Sequence, residues 1–428
     1  MSFAASPIES SHTCPSAYDV AVIGLGYVGL PTALAFHTAG LRVLGVDVDP
    51  GRLEAVRSGR VDLRDSDRER LRAARDGFAV TSEPADAAQA DAVVICVPTP
   101  VNRHLVPDLG ALTQACGTAA AHARPGQTIV LTSTSYVGST KELLARPLTA
   151  RGLRVGSDVF VAFSPERIDP GNDRHAHEDV PRVVGGMTPR CAERAAAVLG
   201  RYAGNLHEVS SAEAAEMTKL LENTFRAVNI ALANEFADAS RLLGLDVMEV
   251  IEAAATKPYG YMPFLPGPGA GGHCIPCDPH YLLWQLKRDR LHTPLVSAAM
   301  NAIAMRPGRV VERARQVLSD EGHGLADADV LVLGVAYKPE VEDLRESPAL
   351  EIIDRLLAAG ARVRYHDPRV PELVTEGGTK LASVEPGPAD LVIAHTPHQA
   401  IDLDWLPEDQ LLLDATYRLR GVARRVVL

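Results

Sequence analysis

The sequence predicts an α/β chain with two strand-and-helix units on either side of an all-helical middle. Three observations carry this. Strand-like and helix-like stretches alternate through the first half, as a doubly wound parallel sheet requires. Residues 212–243 then run without glycine or proline. The last hundred residues return to the alternation and echo the first strands. The expected limits are a flexible tail at 1–17, a first unit at 18–208, helices at 209–320 and a second unit at 321–428.

The first unit opens with Asp19-Val-Ala-Val-Ile-Gly24-Leu-Gly26-Tyr-Val-Gly29. An apolar strand runs straight into G-x-G-x-x-G, and the Ala-rich residues 30–39 follow as a helix. A second strand, 42–46, ends at Asp47. This is a Rossmann fingerprint: Gly24 for the tight turn, Gly26 for approach of a pyrophosphate, Gly29 for close helix packing. The helix N-terminus then faces the phosphates. Asp47 can accept from a ribose 2′-OH and would repel a 2′-phosphate, so the expected cofactor is NAD. Tyr27 and Val28 within the turn, and Arg52 just past Asp47, complete this first set.

Later strands end in Pro98-Thr99, in Ser133-Thr134 and in Ser164-Pro-Glu166-Arg167. Ligands of open α/β sheets bind at the carboxyl ends of the strands. Pro98, Thr99, Thr134 and Glu166 are therefore expected to converge on one crevice.

Residues 212–243 carry apolar residues at helix period: Met217, Leu220, Leu221, Val228, Leu232 and Phe236. At ~1.5 Å per residue they predict a helix of roughly 45 Å. Its wide apolar face suits a subunit interface or an internal spacer. Lys219 and Asn223, four apart, share a face. Helical stretches at 247–255 and 279–318 complete the middle. In the second unit Asp329-Val-Leu-Val-Leu-Gly334 echoes the first strand. Arg362–Asp367 echoes the second, and Ala389–Pro397 echoes Ala90–Pro98. It lacks G-x-G-x-x-G, so it should hold something other than NAD.

The run Pro266-Gly-Pro-Gly-Ala-Gly-Gly-His-Cys274-Ile-Pro-Cys-Asp278 carries the chemistry. Glycines let backbone N–H groups crowd a ligand, and a cysteine at the loop's end reads as a presented nucleophile. Lys219 and Asn223 can stabilise an oxyanion, and Asp278 can accept a proton or orient water. A thiol beside an NAD site implies more than alcohol oxidation: it traps the aldehyde as a thiohemiacetal, which a second oxidation turns into a thioester. Rival readings are a redox or metal Cys274-x-x-Cys277 pair, a two-domain hydroxyacid dehydrogenase, which needs neither the cysteine nor a third domain, and a non-enzymatic NAD-binding role. No second C-x-x-C accompanies the pair, so no metal is expected.

The chain's 428 residues are 46% hydrophobic and 23% charged, with a net charge of −11. That charge argues against nucleic-acid and anionic-membrane partners. No apolar run approaches the ~20 residues of a membrane span. Six cysteines in so long a chain are no disulfide framework, which points to reduced thiols in a cytoplasm.

With these residues in place, the chain resembles the UDP-glucose/GDP-mannose dehydrogenase family of nucleotide-sugar 6-dehydrogenases from Tyr18 onward. The matching motifs are Gly24–Gly29, Val97-Pro-Thr-Pro100, Ser164-Pro-Glu-Arg167, Lys219-Leu-Leu-Glu-Asn223, Gly271-Gly-His-Cys274, Gly334-Val-Ala-Tyr-Lys338 and Arg345-Glu-Ser-Pro348. The resemblance implies Cys274 as thioester nucleophile, with Lys219, Asn223, Asp278 and Glu166 as catalytic partners. It implies Thr134 as holder of the catalytic water beside the cofactor, and Arg345 as a residue reaching NAD. The C-terminal unit would bind uridine diphosphate. Substrate contacts would come from Glu166, Arg167, Lys219, Asn223 and Lys257. Phe264, Leu265, Pro266, Gly267, Gly271 and Lys338 would wrap the diphosphate and sugar. A homodimer or higher oligomer through the central helices is expected. Two departures from the UDP-glucose enzymes stand out: Pro170 where a second glutamate is usual, and Cys277 where a lysine is usual. With Lys257-Pro-Tyr-Gly and Pro266-Gly-Pro-Gly269, they resemble the UDP-N-acetylhexosamine branch, and within it the N-acetylglucosamine enzymes most.

Overall fold

A computed structural model of the chain describes residues 16–61, 63, 65–74, 76–167 and 179–428. Pro170, and residues 1–15 of the expected tail, lie outside these. Strands β1 (Tyr18–Ile23), β2 (Val43–Val46), β3 (Phe78–Thr81), β4 (Ala90–Ile95), β5 (Thr128–Leu131), β6 (Phe160–Phe163), β7 (Arg182–Gly186) and β8 (Leu206–Val209) form one sheet. Their order is β3-β2-β1-β4-β5-β6-β7-β8. All neighbours are parallel except β6 and β7. Parallel strands covered on both faces must be apolar throughout, and here they feed two cores. Val20, Val22, Ala92, Val94 and Val130 face one; Ala21, Ile23, Val93, Ile95 and Ile129 face the other.

Helix starts follow their caps. Asp49 accepts from Gly51 N ahead of Pro50–Ser58, and Thr188 from Cys191 N ahead of Pro189–Leu199. Ser211 accepts from Ala214 N ahead of the long helix Ala212–Leu242. Each side-chain oxygen satisfies an amide that the helix leaves unpaired. In two of the three, proline stands in the first turn, where its missing N–H costs nothing.

The long helix is followed by Val247–Ala255, Asp278–Lys287, Pro294–Ala304 and Arg306–Asp320. Ala227 and Ala231 of the long helix pack on Ile275, Ala299, Met300 and Ile303. The helix Arg306–Asp320 instead places Val310, Ala314, Val317 and Leu318 in the core of the C-terminal sheet.

That sheet comprises β9 (Asp329–Leu333), β10 (Arg362–His366), β13 (Leu391–Ala394), β14 (Leu412–Asp414) and β15 (Arg425–Val427), ordered β10-β9-β13-β14-β15. A small hairpin, β11 (Glu372–Val374) and β12 (Lys380–Ala382), stands apart. The order repeats β2-β1-β4-β5-β6, and so does the turn after the first strand. Gly24 has φ +90° and Gly334 φ +74°. A Cβ on Gly24 would lie 2.6 Å from the Cys96 carbonyl oxygen, and one on Gly334 1.8 Å from that of Thr396. Only glycine fits either place.

Candidate active site

The cofactor loop is built for a bulky anion. A Cβ on Gly29 would lie 1.7 Å from the Gly24 carbonyl, so the helix is pressed onto the turn. Gly26 is the opposite case: exposed, with no atom within 4 Å of where its Cβ would be. Asp47, at the end of β2, accepts from Leu25 N at 2.7 Å and Asp49 N at 3.0 Å. Arg52 donates through Nε to Leu25 O at 2.7 Å, while its Nη2 is buried with no hydrogen-bond partner. Such an orphaned donor costs free energy unless a ligand satisfies it. An open glycine cradle, a helix start, a carboxylate and an unspent guanidinium fit a dinucleotide. Tyr27, Val28 and Gly24 belong to the same turn, and Arg345 reaches it from the C-terminal unit. Its guanidinium lies over the Tyr27 ring at 4.3 Å, and Asp343 orients it through contacts of 2.6 and 3.0 Å.

A second cluster forms where the long helix meets the cysteine turn. Cys274 O accepts from Cys277 N at 3.2 Å and Asp278 N at 2.9 Å, so the turn leads straight into the helix Asp278–Lys287. Asp278 is buried and accepts from Asn223 Nδ2. Burial pushes its carboxyl up to about 6, against the pull of the Lys219 charge and the Asn223 hydrogen bond. That poises it between acid and base near neutral pH. Lys219, also buried, donates to the Glu166 carbonyl at 2.8 Å. Its ammonium keeps two further N–H donors, and the Asn223 amide one. Cys274 is half-buried. Burial and the Asp278 charge raise its thiol above the usual range, while Lys219, Arg226 and Arg345 pull it back. Cys277 is buried, and its thiol is pushed up to about 12.

Other expected residues divide. Thr99 is buried, and its carbonyl accepts from Tyr281 of the helix Asp278–Lys287, which ties the end of β4 to the cysteine turn; Pro98 beside it is exposed. Thr134 is half-buried in the loop after β5. That loop is anchored by Glu216 of the long helix, which accepts from Ser139 Oγ and from Thr140 N and Oγ1 at 2.7–2.9 Å. Glu166 contributes differently from expectation. Its carboxylate forms a buried 2.8 Å ion pair with Arg182 at the start of β7, and its backbone carbonyl meets Lys219. Arg167 pairs with Glu222 at 2.6 Å. Lys257 is not brought to the cluster: it is exposed, 5.2 Å from the Tyr259 ring.

Beyond Cys274 the glycine loop and the C-terminal sheet enclose a cavity of about 310 Å³. Leu265, Pro266, Gly267, Gly271 and Lys338 line it, as expected; Phe264 packs instead on Phe225, ring centres 5.8 Å apart. Gly267 is fixed at both ends, its N by Asn234 Oδ1 and its O by the buried Arg306, each at 3.0 Å. A Cβ on Gly271 would lie 2.7 Å from Glu346 O and Tyr337 Cβ. The sequence reading missed Arg226, His395, Thr396 and Arg418, which also line the cavity. The echo of Val97-Pro98 in Thr396-Pro397 could have placed Thr396, and the helical period Arg226; Arg418 has no local signal. Among the described residues the lining holds three cations, Arg226, Lys338 and Arg418, and no carboxylate. In a chain of net charge −11 this is a local anion site.

Comparison with known proteins agrees with this geometry. The NAD-binding, central and UDP-binding domains of the UDP-glucose/GDP-mannose dehydrogenase family match residues 18–202, 213–302 and 331–419. A UDP-N-acetyl-D-glucosamine 6-dehydrogenase of Pseudomonas aeruginosa is 33% identical over 82% of this chain and 83% of its own. A UDP-N-acetyl-D-mannosamine dehydrogenase of Yersinia pestis is 35% identical over 79% and 82%. The solved structure of a UDP-D-ManNAc dehydrogenase from Pyrococcus horikoshii superposes with a TM-score of 0.84 at 30% identity, covering 95% of this chain and 99% of that one. The relatives split at similar identity among N-acetylglucosamine, N-acetylmannosamine and N-acetylgalactosaminuronic acid dehydrogenases, which leaves the N-acetylglucosamine resemblance of the sequence unresolved. With its glycine cradle, cysteine turn and cationic cavity in one crevice, the chain belongs to the UDP-glucose/GDP-mannose dehydrogenase family and is an NAD-dependent UDP-sugar 6-dehydrogenase.

Proposed function

We propose that the enzyme oxidises the C6 alcohol of a UDP-N-acetylhexosamine, UDP-N-acetylglucosamine first among them, to the uronate in two steps without releasing the aldehyde. The observation that carries this is the gathering of Lys219, Asn223 and Asp278 at the Cys274 turn, whose Ile275 lines the cationic cavity, with Arg345 acting on both Cys274 and Tyr27 of the cofactor loop. UDP-N-acetylmannosamine is the second reading, favoured by a relative at similar identity.

NAD, when bound, would supply the hydride acceptor for C6 in each oxidation. Asp278, ionised above about pH 6, takes the hydroxyl proton as the aldehyde forms. The Cys274 sulfur then bonds to C6, and its proton passes to the carbonyl oxygen. Lys219 and the spare Asn223 N–H stabilise that oxygen while it is negative. In the second oxidation the hydroxyl proton passes to solvent, as does the proton that Asp278 took in the first, which leaves a thioester and an ionised Asp278. Water, deprotonated by Asp278 and held by Thr134, adds to C6; the C–S bond breaks and sulfur leaves as thiolate. The Arg182–Glu166 pair serves by fixing the carbonyl that aims Lys219. Lys338 and Arg418 hold the diphosphate, while the backbone of 265–271 wraps it.

The active form is a homodimer through the long helix. Met217, Leu221, Phe225, Leu232 and Phe236 form one exposed stripe on it, opposite the face carrying Lys219 and Asn223. We place the reaction in the cytoplasm, where a thiol nucleophile stays reduced; the five described cysteines are all free. Among the described residues no helix is long and apolar enough to cross a membrane.

Steady-state kinetics on UDP-N-acetylglucosamine, UDP-N-acetylmannosamine, UDP-N-acetylgalactosamine and UDP-glucose test the reading, with NADH counted per sugar. About two NADH per uronate, and the highest kcat/KM on an acetamido sugar, are expected. Preference for UDP-glucose would overturn the sugar; one NADH with free aldehyde would overturn the route. Cys274→Ser should keep NAD binding and stall turnover, whereas Cys277→Ala should be mild.

A further inference from the structure

Lys338, which lines the cavity, sits in a turn tied at both ends to one buried acid. The turn leaves β9 at Gly334 and runs to Glu340. Asp367, at the end of β10, accepts from Val335 N at 2.7 Å and Ala336 N at 3.3 Å, both through Oδ2. His398, four residues past β13, reaches the other end. Its Nδ1 lies 3.0 Å from Glu340 N, and its Nε2 lies 3.1 Å from the same Asp367 oxygen.

A backbone N–H can only donate, so Nδ1 is the accepting nitrogen. The ring proton of the neutral imidazole then stands on Nε2 and is donated to Asp367. His398 and Asp367 are both buried, so a lost bond leaves an unpaired polar group away from water. The turn needs this support. Pro339 has no N–H, so Glu340 N is the first backbone donor after Lys338. Glu340 has φ +65°, a left-handed backbone that a side chain makes costly. Its carboxylate is held as well, accepting from Gln399 N at 2.7 Å and pairing with Arg369.

We infer that His398 is a positioning residue for Lys338: braced on Asp367, it fixes the turn that aims the ammonium at the diphosphate. This rests on the role given to Lys338 above. The competing role is packing, with the ring only filling space in the second unit and Lys338 set by its own chain. Any ring of similar size would meet that role, and its loss would cost the same with or without Lys338.

Calorimetry of UDP binding to the full chain compares wild type, His398→Phe, His398→Gln, Lys338→Met and the double variant of His398→Phe with Lys338→Met. Phenylalanine keeps a ring and removes both nitrogens. Glutamine keeps an acceptor for Glu340 N and a donor for Asp367. His398→Phe should weaken UDP about tenfold, and His398→Gln should stay within about threefold of wild type. Lys338→Met should weaken UDP about tenfold or more. The double variant should be within about twofold of Lys338→Met, because no cation is left to aim. The Kd for NAD should stay within about twofold throughout, since its seat lies in the first unit. A UDP Kd unmoved by His398→Phe, glutamine no better than phenylalanine, or multiplied losses in the double variant would overturn the assignment. A Kd unmoved by Lys338→Met would overturn the role of Lys338 and this assignment with it. Should His398→Phe fail to fold, Glu340→Ala, at a partly exposed side chain, runs the same cycle. It should weaken UDP about threefold alone and add nothing on Lys338→Met; multiplied losses there would overturn the assignment equally.

Discussion

The guanidinium carbon of Arg345 sits 4.3 Å above the ring of Tyr27, so the C-terminal unit touches the cofactor loop through a cation and an aromatic face. Asp343 grips the same guanidinium from below. A partly exposed cation–π contact is worth about 0.5–1 kcal/mol. Arg345→Ala and Tyr27→Ala should each raise the KM for NAD roughly twofold to fivefold, because either loosens the turn that receives the pyrophosphate. The double variant should be hardly worse than either single one, as coupled partners require. Fully additive losses would show that the two residues act separately.

Asp278 predicts the acid limb of the pH profile. Burial raises its carboxyl to about 6, so below that pH it is protonated and cannot accept a proton. The kcat should therefore fall as pH drops through about 6, with that limb abolished and the rate severely reduced in Asp278→Asn. The same variant removes a negative charge that holds the Cys274 thiol up. Alkylation of Cys274 by iodoacetamide at pH 7 should become faster in Asp278→Asn even as turnover collapses. Slower alkylation would contradict this electrostatic reading.

Asp47 should decide cofactor choice. Its carboxylate repels a 2′-phosphate and can accept from a 2′-hydroxyl. Wild type should prefer NAD over NADP in kcat/KM, and Asp47→Ser should narrow the ratio by at least about tenfold. Some loss with both cofactors is expected too, since Asp47 also holds Leu25 N and Asp49 N. An unchanged ratio would remove Asp47 from this role.

The exposed stripe of the long helix predicts assembly. Leu221 and Phe236 are 65% and 54% exposed, and such a contiguous apolar face commonly marks an interface. Light scattering should give twice the chain mass for wild type. Leu221→Asp with Phe236→Asp should give the chain mass at micromolar concentration, with near-UV and far-UV spectra retained. A monomeric wild type would refute the proposal.

Legibility in the sequence followed locality. Strands β1, β4, β5 and β6 announce themselves as apolar runs, and the long helix by its period. Strands β3, β7 and β8 went unseen: each has only four or five residues, β3 and β8 are not fully buried, and β7 ends in two glycines. Site residues carried by a contiguous motif, such as Gly24, Cys274 and Asp278, were legible. Glu166 was read from its loop, but its carboxylate answers to Arg182, a partner that only the β6–β7 pairing brings near. His395 and Arg418 reach the cavity from the ends of C-terminal strands, so chain topology alone places them there.

The second unit copies the first down to its acid. Asp367 ends β10 as Asp47 ends β2, and accepts from Val335 N at 2.7 Å as Asp47 does from Leu25 N. Yet Asp367 is also bonded to Arg369 N and His398 Nε2 and is 2% exposed. Its oxygens are spent inside the protein, so no ribose can reach them. Among the described residues the duplicated architecture therefore offers one seat for a dinucleotide. On the proposed two-step route, the cofactor would have to be exchanged while the half-oxidised sugar waits. A tether to Cys274 would then set residence time: it would keep a reactive aldehyde equivalent from diffusing away during the exchange.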